Sequence, residues 1–269
     1  MTSKTFWSTA LVAVLVLMVS ASAFAQGSST KTLPPRTQTT TAQAGPLAPV
    51  GTEEPCIADP CVFYAGDFDA AGPNPNGLFN SNSTLVGISA STYTPFTVPK
   101  KYKGAKGKTD WAVTGLFVNE QMLDAFGVGI SVSSVDWAIL SGVTAGGTPS
   151  SATTVCSGTG TPSLTATGRV AFGSPEYTIL VTGISCPNLE NGTYWLGFLP
   201  TTEDIGYLSD VEDSTPANAE GPGTEPVDMA YFYSPSFGFG TFTLASGPSV
   251  CGGIGCDEFS VGVVGTTTH

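Results

Sequence analysis

The side chains best suited to chemistry are carboxylates and amides, and they are densest in residues 66–82, GDFDAAGPNPNGLFNSN. Asp67 and Asp69 point to one side if this stretch is extended, and Asn74 and Asn76 follow in a Pro- and Gly-rich loop. Calcium takes carboxylate, amide and carbonyl oxygens, so these four residues form a candidate calcium site. The sequence requires no cofactor, and calcium is the one candidate. The spacing is not that of an EF-hand, and the alternative is that Asp and Asn form turns in a long loop.

Other carboxylates offer a route to catalysis, because glycoside hydrolysis needs two of them and no His. Asp136 beside Trp137 and Glu176 beside Tyr177 are the candidates, but no signature selects them as a pair. The single His, His269, is the last residue, which excludes His-based triads and multi-His metal sites. The nucleophile elbow G-x-S-x-G and the dinucleotide fingerprint are absent from the sequence. A catalytic function is therefore the less favoured one.

Residues 203–228 carry eight acidic side chains and no basic one. Pro and Gly are frequent there, which is typical of a long solvated insertion. The alternative is a second cation site at residues 210–213.

Aromatic side chains offer a route to glycan binding, because exposed rings stack on sugars. Trp111, Trp137 and Trp195 lie inside apolar strands, so we expect them in the core. Residues 231–239, YFYSPSFGF, are the segment that could line a surface groove.

Basic residues are few and unevenly placed. Five lysines fall within residues 100–108, which we interpret as an exposed loop that keeps a strand edge from pairing; contact with an anionic polymer is the alternative. The stretch KGAKGKT at 103–109 lacks the first Gly of a phosphate-binding loop. From residue 109 onward sixteen acidic side chains accompany one basic side chain, Arg169. We predict that Arg169 pairs with Glu176, across a hairpin turn, or with Asp136, the alternative being an Arg that binds a carboxylated ligand.

The six cysteines and the N-terminus indicate export. An apolar run at 10–19 after Lys4, then Ala-Phe-Ala at 23–25, predicts a signal peptide over residues 1–25. No later stretch is long enough to span a bilayer. An even cysteine count in an exported chain predicts disulfides, for which we favour the pairs Cys56–Cys61, Cys156–Cys186 and Cys251–Cys256. Cross-pairing of the outer couples and a four-Cys zinc site are the alternatives.

Composition and patterning predict one all-β domain. Only 11% of residues are charged and the formal net charge is −12, which argues against nucleic-acid binding. We expect a disordered Thr-, Pro- and Gln-rich linker at 26–54, a domain at 55–265 and a polar tail at 266–269. Many short strands between Gly, Pro, Asn and Ser clusters predict a single antiparallel, jelly-roll-like β-sandwich with long loops. Residues 120–126, behind Asn119, are the one segment predicted to be helical.

Several segments together resemble a group of secreted bacterial β-sandwich proteins that carry a signal peptide and have no established activity. They are Asp67-Phe68-Asp69 with residues 74–78, residues 137–143, Thr167-Gly168-Arg169 with Phe172-Gly173 and Glu176-Tyr177-Thr178, residues 192–195, and residues 234–238. The resemblance covers about Asp67 to Val264, and it implies the fold and export while leaving function open.

Taken together, the sequence predicts a secreted, non-catalytic protein, released outside the cell or into the periplasm, that binds or associates with a surface. An extracellular polysaccharide or another cell-surface component is the expected partner. The alternatives are a carbohydrate-active enzyme with a carboxylate pair and a purely structural matrix component. The sequence leaves the oligomeric state open.

Overall fold

The computed structural model describes residues 61–67, 77–100, 110–125, 127, 129–171, 173–209, 221, 223–224, 226, 229–251 and 259–268. These residues form fourteen strands and two short 3₁₀ helices, Pro149–Ser151 and Pro235–Phe237. The strands are β1 Cys61–Tyr64, β2 Gly77–Phe79, β3 Ser81–Ser83, β4 Ile88–Val98, β5 Asp110–Leu123, β6 Val132–Ser141, β7 Thr153–Gly160, β8 Ser163–Ala171, β9 Ser174–Thr182, β10 Gly192–Thr202, β11 Ile205–Ser209, β12 Tyr231–Ser234, β13 Phe239–Leu244 and β14 Val261–Thr268.

The strands divide into two seven-stranded sheets. In the first sheet the hydrogen-bonded order is β1-β14-β5-β11-β2, and β9 joins the other flank of β5 and carries β8. In the second sheet the order is β13-β12-β4-β3-β10-β6-β7, with β4 also paired to β10. Every described ladder is antiparallel except the short pairing of β10 with β3. The predicted all-β sandwich is thereby confirmed.

The main core lies between the two sheets. The rings of Phe96 on β4 and Trp111 on β5 stack with centroids 6.0 Å apart, and both side chains are completely buried. Along β10, Leu196 and Phe198 enter this core while Trp195 packs in a separate cluster, as period-2 alternation requires. Trp111 and Trp137 lie in the main core, as predicted.

The helix predicted at residues 120–126 is wrong. Glu120 to Leu123 are the last four residues of β5, and Glu120 and Gln121 pair with β9 on one side and β11 on the other. Two ladders satisfy the backbone of this segment, and that tertiary pairing outweighs its weak local preference for a helix. Asn119, the predicted helix cap, is an interior residue of the same strand.

The predicted end of the domain at residue 265 also needs correction. β14 continues to Thr268, and Thr266, Thr267 and Thr268 pair with Ala112, Trp111 and Asp110 of β5. A backbone ladder needs no apolar side chains, so a polar sequence concealed these pairs. The predicted signal peptide and linker lie outside the described residues. The described part of the chain contains no helix with the length and apolarity that crossing a bilayer requires.

One predicted disulfide is confirmed. Cys156 on β7 is bonded to Cys186, beyond β9, with Cα atoms 5.4 Å apart. It ties an edge strand of the second sheet to the segment that follows a strand of the first. Cys61 and Cys251 are also disulfide-bonded, whereas Cys56 and Cys256 lie outside the described residues, so their pairings stay predictions.

Removal of this disulfide should lower stability substantially. With a sequence separation of 30 between the two cysteines, the chain-entropy account gives a loss of about 3–4 kcal/mol for the double variant Cys156→Ala/Cys186→Ala. Urea unfolding followed by circular dichroism measures it, and Ser157→Ala on the exposed side of the same strand serves as control. A loss below about 1 kcal/mol would show that the crosslink adds little to what the packed sheets already hold together.

Candidate functional site

A group of buried polar side chains lies on the outer face of the first sheet, turned away from the core. Asn119 and Gln121 of β5 stand opposite Thr178 and Glu176 of β9. All four are at most 3% exposed, while Val118, which precedes Asn119, enters the main core. Alternation along two paired strands therefore places four polar side chains together. We call this group the Arg169 cluster; its other members are Tyr64, Asp67, Thr167, Arg169, Ser209 and Ser260.

Arg169 reaches the cluster from an irregularity in an edge strand. β8 and β9 form the predicted hairpin, but their ladder breaks between Ala166 and Val170. Gly168 has φ 81°, a left-handed conformation that Gly adopts without steric cost. The displaced residues turn the Arg169 side chain inward, where it forms ion pairs with Glu176 and Asp67 and is 9% exposed.

Glu176 is held by donors on both carboxylate oxygens. Its Oε2 accepts hydrogen bonds from Arg169 Nε and from Thr167 Oγ1 at 2.8 Å. Its Oε1 accepts one from Ser209 Oγ at 2.7 Å. Two of these donors lie on β8, which pairs with β9, and the third lies on β11, which pairs with β5. The Glu176 carboxylate, on β9, therefore connects the two strands that flank the β9–β5 pair.

Asp67 contacts a different nitrogen of the guanidinium from the one that Glu176 contacts. Arg169 Nη1 lies 3.0 Å from Asp67 Oδ2, and the Tyr64 hydroxyl donates to Oδ1. The Tyr64 oxygen accepts from Asn119 Nδ2 at 2.9 Å, and Asn119 Oδ1 accepts from Thr178 Oγ1 at 2.6 Å. A continuous chain of hydrogen bonds thus runs from Arg169 across three strands.

Ser260 closes the cluster next to β14. Its Oγ accepts from Asn119 Nδ2 at 2.8 Å and donates to the Gly66 carbonyl at 2.6 Å. The segment that carries Asp67 is therefore fixed to the sheet through backbone as well as side chain.

The electrostatics of the cluster hold Arg169 in its charged form. Burial by itself would lower the pKa of Arg169, but the nearby Glu176 and Asp67, with Tyr64 and the hydrogen bond to Glu176, raise it above its ordinary value. The guanidinium contacts Glu176 through Nε and Asp67 through Nη1, and hydrogen bonds between charged groups are stronger than those between neutral ones.

The arrangement favours a structural role over acid–base chemistry. Of the two carboxylates considered for catalysis, Glu176 lies in the Arg169 cluster of the first sheet. Asp136 lies exposed on β6 of the second sheet, where its Oδ1 accepts a hydrogen bond from Thr159 at 2.6 Å. The structure does not bring them together, and the described ionic partners of Arg169 are Asp67 and Glu176 rather than Asp136.

The residues of the predicted calcium site are only partly described. Asp67 binds Arg169 and Tyr64 as stated, whereas Asp69, Asn74 and Asn76 lie outside the described residues. Within the described part of the chain no three His, Cys, Asp or Glu side chains gather in a way that could hold a metal ion. Calcium therefore stays a prediction.

The sequence did not indicate that a carboxyl group, that of Glu120, lies inside the main core. Glu120 is completely buried, and its Oε1 accepts a hydrogen bond from Asn80 Nδ2 at 2.6 Å. Burial raises the pKa of Glu120 well above its ordinary value, and the bond from Asn80 only partly opposes this. Burial therefore favours the protonated, neutral form of Glu120. Its placement could not be foreseen because the segment was predicted to be helical.

Asn80 connects this acid to the second sheet. Its Nδ2 also donates to the Phe198 carbonyl at 2.7 Å, and its Oδ1 accepts from the Thr92 amide at 2.8 Å. Gly206 lies on the other side of the acid, where a Cβ atom would come within 2.5 Å of Glu120 Oε2. The acid and its amide partner thus sit in a tightly filled position between the sheets.

Aromatic side chains form a cluster on the outer face of the second sheet. Tyr93, Trp195, Tyr231 and Phe242 are all buried, and the rings of Tyr93 and Phe242 meet edge to face at 4.9 Å. Burial, followed by Tyr233, raises the pKa of Tyr93 to about 12. Trp195 is therefore buried outside the main core.

A neighbouring loop is hydrogen-bonded to the backbone of the strand that carries Phe242. Gly146 N donates to the Phe242 carbonyl at 2.9 Å, and Phe242 N donates to the Gly147 carbonyl at 2.7 Å. In the predicted groove segment, Tyr231, Phe232 and Phe239 are buried while Tyr233 and Phe237 are half-buried. These rings pack on one another instead of forming a flat strip open to solvent.

Most of the two charged segments lies outside the described residues. Of the lysine loop only Lys100 is described, and it is exposed. Of the acidic segment, Glu203 is exposed and Asp204 is buried, while residues 210–213 are not described. Their predicted roles stay predictions.

No protein-family model matches this chain, and no curated protein and no solved structure shows significant similarity to it.

Proposed function

We propose that this chain is a secreted, non-catalytic β-sandwich that binds or associates with a surface outside the cell; the resemblance to secreted β-sandwich proteins implies the fold and the export and leaves the function open. The observation that carries the proposal is the state of Glu176 and Asp67. Both oxygens of each carboxylate are engaged by Arg169 and by neighbouring hydroxyl groups. A general acid or nucleophile needs an oxygen within reach of substrate, and these oxygens instead join strands.

Export is supported by the disulfides. Such bonds persist in oxidising compartments and are rare in the cytosol, and Cys156–Cys186 crosslinks two segments of the sandwich. The N-terminal sequence adds the predicted signal peptide of residues 1–25.

The expected partner is an extracellular polysaccharide or another cell-surface component. The full chain is expressed in a secreting bacterial host, recovered from the periplasm or medium, and applied to a glycan array. Intact mass should show a new N-terminus at Gln26 and six oxidised cysteines. Binding to a defined polysaccharide class supports the proposal; retention of the chain in the cytosol with free thiols overturns it. Absence of binding to every glycan removes polysaccharide as the partner.

Calcium is proposed as the ion of residues 67–76, where Asp69, Asn74 and Asn76 would supply the oxygens because both oxygens of Asp67 are engaged by Arg169 and Tyr64. The test is thermal. A ligand that binds only the folded state stabilises it by RT ln(1 + [L]/Kd), about 2.7 kcal/mol at a hundredfold excess over Kd. Melting in millimolar CaCl₂ should therefore exceed melting in EDTA for the wild type, and Asp69→Asn should remove the difference. Equal melting temperatures in both buffers would eliminate the calcium site.

A further inference from the structure

The free edge of β7 is the feature from which we infer a new interface. β7 is the last strand of the second sheet and pairs with β6 from Val135↔Gly160 to Ser141↔Thr153. Among the described residues, no backbone group of β7 is hydrogen-bonded to anything other than β6. Alternate N–H and C=O groups along its other side are therefore available to another strand.

Other edges of the sandwich are protected in recognisable ways. The edge formed by β13 is closed by Gly146 and Gly147, which bond to Phe242. The edge formed by β8 is interrupted where the ladder breaks and Arg169 turns inward. Bulges and inward-pointing charges are devices that prevent edge-to-edge pairing.

β7 has less protection. Its sequence, TTVCSGTG, contains neither a charged residue nor a proline, the residues that usually block an edge. A single irregularity near Val155 leaves Cys156–Gly160 as a regular stretch paired to Ile139–Val135. Ser157 and Thr159 within it are exposed.

The charge distribution indicates what kind of molecule can approach. Each copy carries a formal net charge of −12, so two copies repel one another over most orientations. No charged residue occurs between Asp136 and Arg169, a stretch that contains all of β7 and most of β8. β7 itself therefore brings no charged side chain to such a contact; the neighbouring strand β6 contributes Asp136, whose Oδ1 accepts a hydrogen bond from Thr159.

We propose that β7 pairs antiparallel with β7 of a second copy of this chain across a two-fold axis, joining two second sheets into one continuous sheet. A two-fold axis brings the same patch of both copies together, and an antiparallel pairing of identical strands satisfies it. The side chains of β7 are small and uncharged, so two copies of β7 can lie side by side without repulsion. β7 also offers no charged side chain that would select a different peptide.

The test compares two lysine substitutions in the secreted full chain. Ser157→Lys places like charges near one another across the proposed pairing, while Thr241→Lys is the matched control on the exposed part of β13, at the opposite edge of the same sheet. Sedimentation velocity between about 1 µM and about 1 mM should show a wild-type dimer. Ser157→Lys should raise its dissociation constant by at least about tenfold, and Thr241→Lys should leave it within about twofold. Circular dichroism verifies that both variants are folded.

Amide hydrogen exchange locates the contact independently of any variant. Amides in Thr153–Gly160 should exchange more slowly as the wild-type concentration rises, and those of Phe239–Leu244 should not change. A monomer throughout the concentration range overturns the proposal, as does a dimer that both lysine variants weaken equally. Concentration-independent exchange in β7 also overturns it. The inference does not depend on the proposed binding function, because glycan binding and dimerisation are measured separately.

Discussion

Arg169→Met should destabilise the folded protein by about 3–5 kcal/mol, the loss expected when one partner of a buried ionic group is removed and its counter-charges remain. Glu176 and Asp67 are 1% and 6% exposed, so neither can recover full hydration once the guanidinium is gone. Urea unfolding at pH 7, with the slope against urea unchanged, measures the difference in free energy.

Two further variants make the interpretation specific. Arg169→Lys keeps the charge but not the fork that contacts both carboxylates, so it should lie between the wild type and Arg169→Met. Lys100→Met removes an exposed cation and should stay within about 0.5 kcal/mol of the wild type. If Arg169→Met lowers the free energy of unfolding by less than about 1 kcal/mol, the Arg169 cluster does not stabilise this face of the sandwich appreciably.

Glu120→Gln should make the protein more stable at neutral pH, with a difference that grows as the pH rises. The pKa of Glu120 is raised in the folded state, so the folded protein keeps a proton that the unfolded chain releases above the ordinary value of 4.5. Below that pH the stability from the protonated group is fully present. It is then lost by about 1.4 kcal/mol per pH unit as the pH rises towards the folded pKa.

Glutamine does not titrate and keeps an oxygen for the Asn80 amide, so its stability lacks this slope. The variant should match the wild type near pH 4 and should then gain on it by at most about 1.4 kcal/mol for each pH unit as the pH rises. The matched control is Glu203→Gln, whose side chain is exposed and which should leave the slope unchanged. Parallel stability curves for wild type and Glu120→Gln between pH 4 and pH 8 would show that this acid is not retained in neutral form.

Short-range signals in the sequence predict much of the fold. Period-2 alternation and Gly-rich turns predict separate strands, and the turn at residues 173–175 predicts the β8–β9 hairpin that brings Arg169 near Glu176. Because acidic residues far outnumber basic ones after residue 109, the sequence also predicts that Arg169 has an acidic partner. The Cys156–Cys186 disulfide follows from spacing and an even cysteine count.

These short-range signals do not predict contacts between residues that are far apart in the sequence. Asp67 and Arg169 are far apart in the sequence, and nothing local to either indicates that they meet. The polar residues at 119–121 are typical of an exposed helix start, yet they lie in a central strand because two ladders pair their backbone. Glu120 faces the core, and its neighbours Asn119 and Gln121 face the Arg169 cluster. Only the register of β5 with β9 and β11 decides between these environments.

Because Glu176 joins strands through both carboxylate oxygens, we expect it to take no part in a reaction. The most direct test incubates the secreted wild type and Glu176→Gln with a panel of polysaccharides and measures the release of reducing ends. Neither protein should release them, and Glu176→Gln should have a lower free energy of unfolding. Release by the wild type that disappears in a folded Glu176→Gln variant would overturn this expectation and identify the carboxylate as catalytic.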